Sequence, residues 1–127
     1  MVVPADVRAQ LVEHARAELP NEACGLIVLE QDVAVRYEPG VNEEPSPYRF
    51  KLQMPDPETW YLADEGYELA VFHSHVSSAP RPSKTDVVNI GTWSGYPYVI
   101  YSVLRDELAA WRIVDGAIEP LPLHADS

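Results

Sequence analysis

Apolar positions follow two different rhythms along the chain. Between Pro4 and Leu19, Val7, Leu11, Val12 and Ala15 recur at spacings of three and four, which predicts an amphipathic helix. Pro4, Ala5 and Asp6 suit its first turn, with Asp6 near the positive end of the helix dipole, and Pro20 and Asn21 end it. From Cys24 onward the apolar residues come in short runs. CGLIVLE (24–30) and VAVRYEP (33–39) read as strands joined through Gln31 and Asp32 as a hairpin. Residues 40–58 are rich in proline and acids and read as a loop with a short strand at YRFKL (48–52). A weak helical pattern covers 57–67. ELAVFHSH (68–75) is almost continuously apolar, which predicts a strand buried on both faces. Residues 83–93 predict a second helix, and 96–104 and 107–116 a second hairpin around Arg105 and Asp106, before AIEPLPL closes the chain. The expected class is α+β: a mixed, mostly antiparallel sheet flanked by one helix at the start and one after the central strand.

Composition narrows the function. A chain of 127 residues fits one domain, 1–127, long enough to bury a core without staples. The net charge is −11, with 20 acidic against 9 basic residues. That leaves no basic stripe for nucleic acid and no attraction to an anionic membrane, so neither is an expected partner. Cys24 is the only cysteine, so no internal disulfide can form, which suits the expected cytoplasmic location. The opening MVVPADVRAQ carries an acid early and no long apolar run, so no signal peptide is expected.

The chemistry concentrates in VFHSHVSSAPRPSKTDVV (71–88). In a strand, residues two apart share a face, so His73 and His75 project together, about 6–7 Å apart at their Cα atoms, while Ser74 points the other way. Such a pair either ends a strand at the surface or holds one metal ion. SKTD (83–86) has the form of a capping box, with Ser83 as N-cap. Asp86, in the first turn of the helix after the histidine strand, could also fold back as a third ligand. Two histidines and a carboxylate with one open position form a catalytic zinc arrangement, whereas a structural zinc usually takes several cysteines. Hydrolysis of an amide further needs a group to carry the proton, and Glu22 in PNEACGLI stands just before a strand that starts with small residues. On local grounds alone, the plainer reading of Glu22 is a solvated turn residue. Cys24 reads as a buried small residue rather than a nucleophile.

Taken together, Glu22, His73, His75, Ser83 and Asp86 resemble the JAMM/MPN+ zinc metallopeptidase family. Its motif is an upstream Glu, then His-Ser/Thr-His-Pro, seven positions, and Ser-x-x-Asp. Here HSH is followed by the seven residues Val76 to Pro82 and then SKTD. Val76 stands where the family usually has proline, which bears on the path of the loop and not on the ligands. NEACG, SPYRF, PSKTDV and WRIVDG look most like a bacterial branch. That branch includes an actinobacterial peptidase that removes cysteine from a ubiquitin-like sulfur-carrier protein.

The resemblance implies the MPN fold, which is cytidine-deaminase-like, and one Zn²⁺ per chain on His73, His75 and Asp86. It implies metal-activated water with Glu22 as general base, and Ser83 donating to the oxyanion. The implied substrate is an amide bond at the C-terminal tail of a ubiquitin-like or sulfur-carrier protein. Segment 41–67 would flank the groove in that fold, where Tyr48, Phe50, Trp60 and Tyr61 either grip the tail or cap the core. A homodimer stays open. The competing expectations are a non-catalytic MPN scaffold, and a peptidase of another substrate class such as the cell-wall or phage-tail type.

Overall fold

The computed structural model describes residues 1–126. Strand Val2–Pro4 (β1) runs straight into helix Ala5–Ala17 (α1). The hairpin follows as Cys24–Glu30 (β2) and Val33–Pro39 (β3). A two-stranded ribbon, Val41–Asn42 (β4) with Leu52–Gln53 (β5), and a 3-10 segment, Pro57–Glu65, lead to Glu68–His75 (β6). Next come helix Lys84–Val88 (α2), a 3-10 turn at Gly91–Trp93, and Pro97–Ser102 (β7). Glu107–Val114 (β8), Ala117–Leu121 (β9) and His124–Asp126 (β10) complete the chain. No helix among the described residues is long and apolar enough to cross a membrane.

Eight strands form one sheet in the order β10-β1-β3-β2-β6-β7-β8-β9. β1 lies parallel to β10 and β3, and β6 parallel to β7; the other four pairs are antiparallel. β9 and β10 sit at opposite ends of that order, yet only Pro122 and Leu123 join them. Three residue steps span at most about 11 Å, so the sheet must curl round towards itself.

The alternation of side chains divides the core in two. Ile27, Leu29, Ala70 and Phe72 face α1, which presents Val7, Leu11 and Ala15, one helical turn apart. Leu26, Val28, Leu69 and Val71 face the other way, beneath Phe50, Leu52, Trp60, Val87 and Trp93. Both faces of β6 are therefore covered, as its unbroken apolar run predicts.

Several expected elements differ in extent. The strand expected at 48–52 shrinks to Leu52–Gln53, because the Asn42 side chain takes the Lys51 N–H and the Arg49 carbonyl that a ladder would use. The helix expected over 83–93 stops at Val88, and Gly91 at φ 48° turns the chain out of helical geometry. The helical stretch at 57–65 is 3-10, ended by Gly66 at φ 96°. β1 and β10, three residues each, carry too little pattern to be read from sequence. The 24–30 and 33–39 strands match, and Gln31 and Asp32, at φ 49° and 64°, form the two-residue turn that suits strand twist.

Gly25 is required by close approach. A Cβ there would sit 2.6 Å from the Glu38 carbonyl oxygen and 2.7 Å from the Tyr37 ring. Gly25→Ala should cost roughly 1–3 kcal/mol by overpacking, read as a lower urea midpoint. An unchanged midpoint would mean that β3 shifts aside without strain.

Candidate active site

The alternation along β6 places the polar end of the strand. Leu69 and Val71 point into the second core cluster, so His73 and His75, in the same phase, point to that face too. Ser74 points to the opposite face and is fully buried, with its Oγ accepting the Ala23 N–H at 2.8 Å. The chain then turns, and α2 starts at Ser83 with both halves of the capping box in place. The Ser83 Oγ accepts the Asp86 N–H at 3.0 Å, and the Ser83 N–H donates to Asp86 Oδ2 at 2.9 Å. That cap aims the Asp86 carboxylate at the histidines.

The three side chains meet in a buried cluster whose ligand atoms all lie within 4.8 Å of one another. Asp86 Oδ2 is 3.0 Å from His75 Nε2 and 3.3 Å from His73 Nε2. His75 Nδ1 lies 2.8 Å from the Ala79 carbonyl, which can only accept, so Nδ1 carries the hydrogen. A neutral ring then turns the bare lone pair of Nε2 towards a carboxylate oxygen, a contact made favourable by a proton or a metal cation between the two atoms. Both ring nitrogens of His73 are buried without a hydrogen-bond partner, since its contact with Asp86 lacks hydrogen-bond geometry. Two imidazoles and one carboxylate, with no thiolate, are a donor set that fits a catalytic divalent site.

Charge follows the same logic. Burial lowers the His73 pKa, with Asp86 pulling the other way. For His75 burial also pulls down, but the hydrogen bonds to Asp86 and Ala79 outweigh it and leave the pKa raised. Burial opposes ionisation of Asp86, yet His73, His75 and the Ser83 N–H hold its carboxyl well below the usual range.

Glu22 lies just before β2 and is buried, not solvated in a turn. Its Oε1 has no partner, and its pKa is pushed up to about 9, by burial first and then by the Asp86 charge. A cation held by the three ligands would offset the Asp86 charge and bring Glu22 down towards the range of a base working near neutrality. The backbone of Glu22 is held on both sides. Its N–H donates to the Ser46 carbonyl at 2.8 Å, and its carbonyl accepts from Asn42 Nδ2 at 3.2 Å.

The loop after His75 keeps a defined path with Val76 in place of proline. The Ala79 carbonyl meets the His75 ring, Trp111 Nε1 donates to the Pro80 carbonyl at 2.7 Å, and Arg81 lies over the Trp111 ring. Of Tyr48, Phe50, Trp60 and Tyr61, Phe50 comes to the site, stacking on His73 with ring centroids 4.5 Å apart. It also lines a cavity of about 240 Å³ with Arg49, Lys51, Asp86, Trp93 and Tyr98. Tyr48 is 75% exposed. Trp60 stacks on Trp93 and packs on the core, while Tyr61 lines a separate cleft with Arg36 and Glu58.

Cys24 is fully buried, and burial, followed by the charges of Glu18 and Glu22, pushes its thiol up to about 12. It is inert as a nucleophile at neutral pH. Cys24→Ser should therefore leave turnover within a few fold; a loss as large as that of removing the Glu22 carboxylate would point to thiol chemistry instead.

Residues that motif reasoning passes over are Asn42, whose side-chain amide binds the backbone, and Ser46 and Ala79, which act through their carbonyls. Their roles come from where the chain folds back, and residue type alone does not signal them.

Comparison with known proteins places this geometry. The family described as prokaryotic homologs of the JAB domain matches residues 4–114, and the chain belongs to that family. It is 34% identical to the CysO-cysteine peptidase of Mycobacterium tuberculosis over 132 residues, covering 98% of this chain and 90% of the relative. Its fold matches the solution structure of a Desulfitobacterium hafniense protein, with TM-score 0.80 and 25% identity over 100% of this chain and 94% of that one. It also matches a structure described as a JAMM metalloprotease-like zinc site in the proteasome and signalosome, with TM-score 0.64 and 17% identity over 100% and 98% of the two chains.

Proposed function

We propose that this chain is a zinc-dependent peptidase that hydrolyses an amide bond at the C-terminal tail of a ubiquitin-like sulfur-carrier protein. The observation that carries the reading is the buried, unpartnered Glu22 carboxylate next to the cluster of His73, His75 and Asp86. A scaffold has no reason to keep an ionisable group so far from its ordinary state beside a set of metal-donor side chains. The 34% identity to a CysO-cysteine peptidase supports the sulfur-carrier tail as substrate.

The roles follow from chemistry. His73, His75 and Asp86 would hold the metal, which supplies Lewis acidity to the scissile carbonyl and to the attacking water. Glu22 takes a proton from that water and passes it to the leaving amine nitrogen. The Ser83 Oγ already accepts the Asp86 N–H, so its own hydrogen is free to donate to the carbonyl oxygen as charge develops there. Phe50, stacked on His73 and lining the cavity beside Asp86, flanks the approach. Trp60 backs the cavity wall through Trp93, while Tyr61 lies in a separate cleft away from the approach.

A site formed by a strand end and a helix start offers a flexible tail little area, so the folded carrier must add contacts elsewhere. The test compares kcat/KM for an intact carrier extended by one C-terminal residue with that for the isolated tail peptide. The intact carrier should be turned over at least about tenfold better. Equal rates would remove the carrier body from recognition, and release from neither would overturn the reading.

A further inference from the structure

We propose that Asn42 is a positioning residue that ties the loop over the site to the backbone of Glu22; the proposal rests on the reading of Glu22 as the proton carrier. Asn42 is half-buried at the end of β4. Its amide has two donor hydrogens and two acceptor lone pairs, and all four are used. Nδ2 donates to the carbonyls of Glu22 and Arg49, each at 3.2 Å. Oδ1 accepts the N–H of Glu44 at 3.1 Å and of Lys51 at 2.9 Å. Reversing oxygen and nitrogen would set acceptor against acceptor at the Glu22 and Arg49 carbonyls and donor against donor at the Glu44 and Lys51 N–H groups, so the network itself fixes the amide orientation.

The loop this amide holds together has little regular structure. β4 and β5 are two residues each, and Pro45 and Pro47 lie between them. The same loop provides Ser46, whose carbonyl receives the Glu22 N–H, and Phe50, which stacks on ligand His73. It also provides Arg49, Lys51 and Leu52 on the cavity wall beside Asp86. Glu22 Oε1 has no hydrogen bond of its own. The direction of that carboxylate is therefore set by its backbone, and both main-chain polar groups of Glu22 are anchored to 42–46. A substrate pressing on the 49–52 wall acts, through Asn42, on the group that moves the proton.

Asn42→Asp separates this role from simple loop support. A carboxylate keeps the acceptor atoms for Glu44 and Lys51 but cannot donate to Glu22 or Arg49. With zinc-loaded protein and a ubiquitin-like sulfur carrier extended by one C-terminal cysteine, kcat should fall about tenfold or more, because displacement of a reacting group by about an ångström costs up to 10²-fold. KM should stay within about threefold, as expected when only transition-state geometry is lost. Zinc content should not change. By NMR hydrogen exchange the Glu22 amide should lose protection, while the Leu26 and Val28 amides in β2 keep theirs. Asn42→Ala, which releases the loop as well, should raise KM in addition. A kcat for Asn42→Asp within twofold of wild type, or a loss matched by loss of zinc or by a rise in KM alone, would overturn the proposal. Glu22→Gln in the same assay keeps the two readings apart: if it turns over normally, the role of Glu22 fails first.

Discussion

Glu22→Gln should bind metal as wild type does and turn over about 10²–10⁴-fold more slowly, the usual worth of a positioned general base. The amide matches the carboxylate in shape and cannot shuttle a proton. Glu22 stands outside the cluster of His73, His75 and Asp86, so metal retention follows from geometry. The substitution also removes a buried group whose pKa is pushed up to about 9, so the metal-free variant should lose no stability at neutral pH. The sign follows from linkage. A carboxyl with a raised folded pKa is ionised more readily in the unfolded chain, so wild-type stability declines as pH rises from the ordinary glutamate range towards 9, and Gln removes that decline. Urea unfolding of both metal-free proteins from pH 5 to 9 reads it directly. Parallel stability curves would mean that Glu22 is solvated in solution.

His75→Ala should lose the metal and, with it, all but background turnover. Three protein ligands are the minimum for a catalytic site that keeps an open position. Removal of an outer hydrogen-bond partner of a ligand already costs about 10–100-fold in affinity, and removal of the ligand itself should cost more. Here the loss reaches further, because His75 also holds the Ala79 carbonyl at 2.8 Å and faces Asp86 Oδ2 at 3.0 Å. Competition with a chromophoric chelator gives the zinc affinity of each variant. Tight zinc binding by His75→Ala would put the ligand set elsewhere. The two variants fail for different reasons, one loaded and slow, the other empty, and that difference separates chemistry from assembly.

Much of this site is legible in the sequence because the motif is local on two elements. A strand fixes the His73 and His75 pair by its two-residue period, and a capping box fixes Ser83 and Asp86 by its three-residue span. Sequence alone could not show that Glu22 is buried, since its burial depends on 42–46 folding over it. The 40–58 segment was the least legible for the same reason. Side-chain hydrogen bonds from Asn42 replace the ladder that YRFKL would otherwise join, and propensity carries no trace of them. Trp60 and Tyr61 are adjacent in sequence and part in space, one on the Trp93 ring and one in a separate cleft, because the 3-10 turn carries neighbouring side chains to different faces. Short strands such as β1 and β10 depend on each other across the whole chain, pairing Val2 with His124.

The most direct measurement is intact-mass spectrometry of a folded ubiquitin-like sulfur carrier bearing a C-terminal cysteine, incubated with the zinc-loaded protein. The carrier should lose that one residue and nothing more, chelation should stop the loss, and restored zinc should recover it. A carrier left intact by fully loaded protein, or cleavage undiminished after the metal is removed, would contradict a zinc-dependent peptidase built on Glu22, His73, His75 and Asp86.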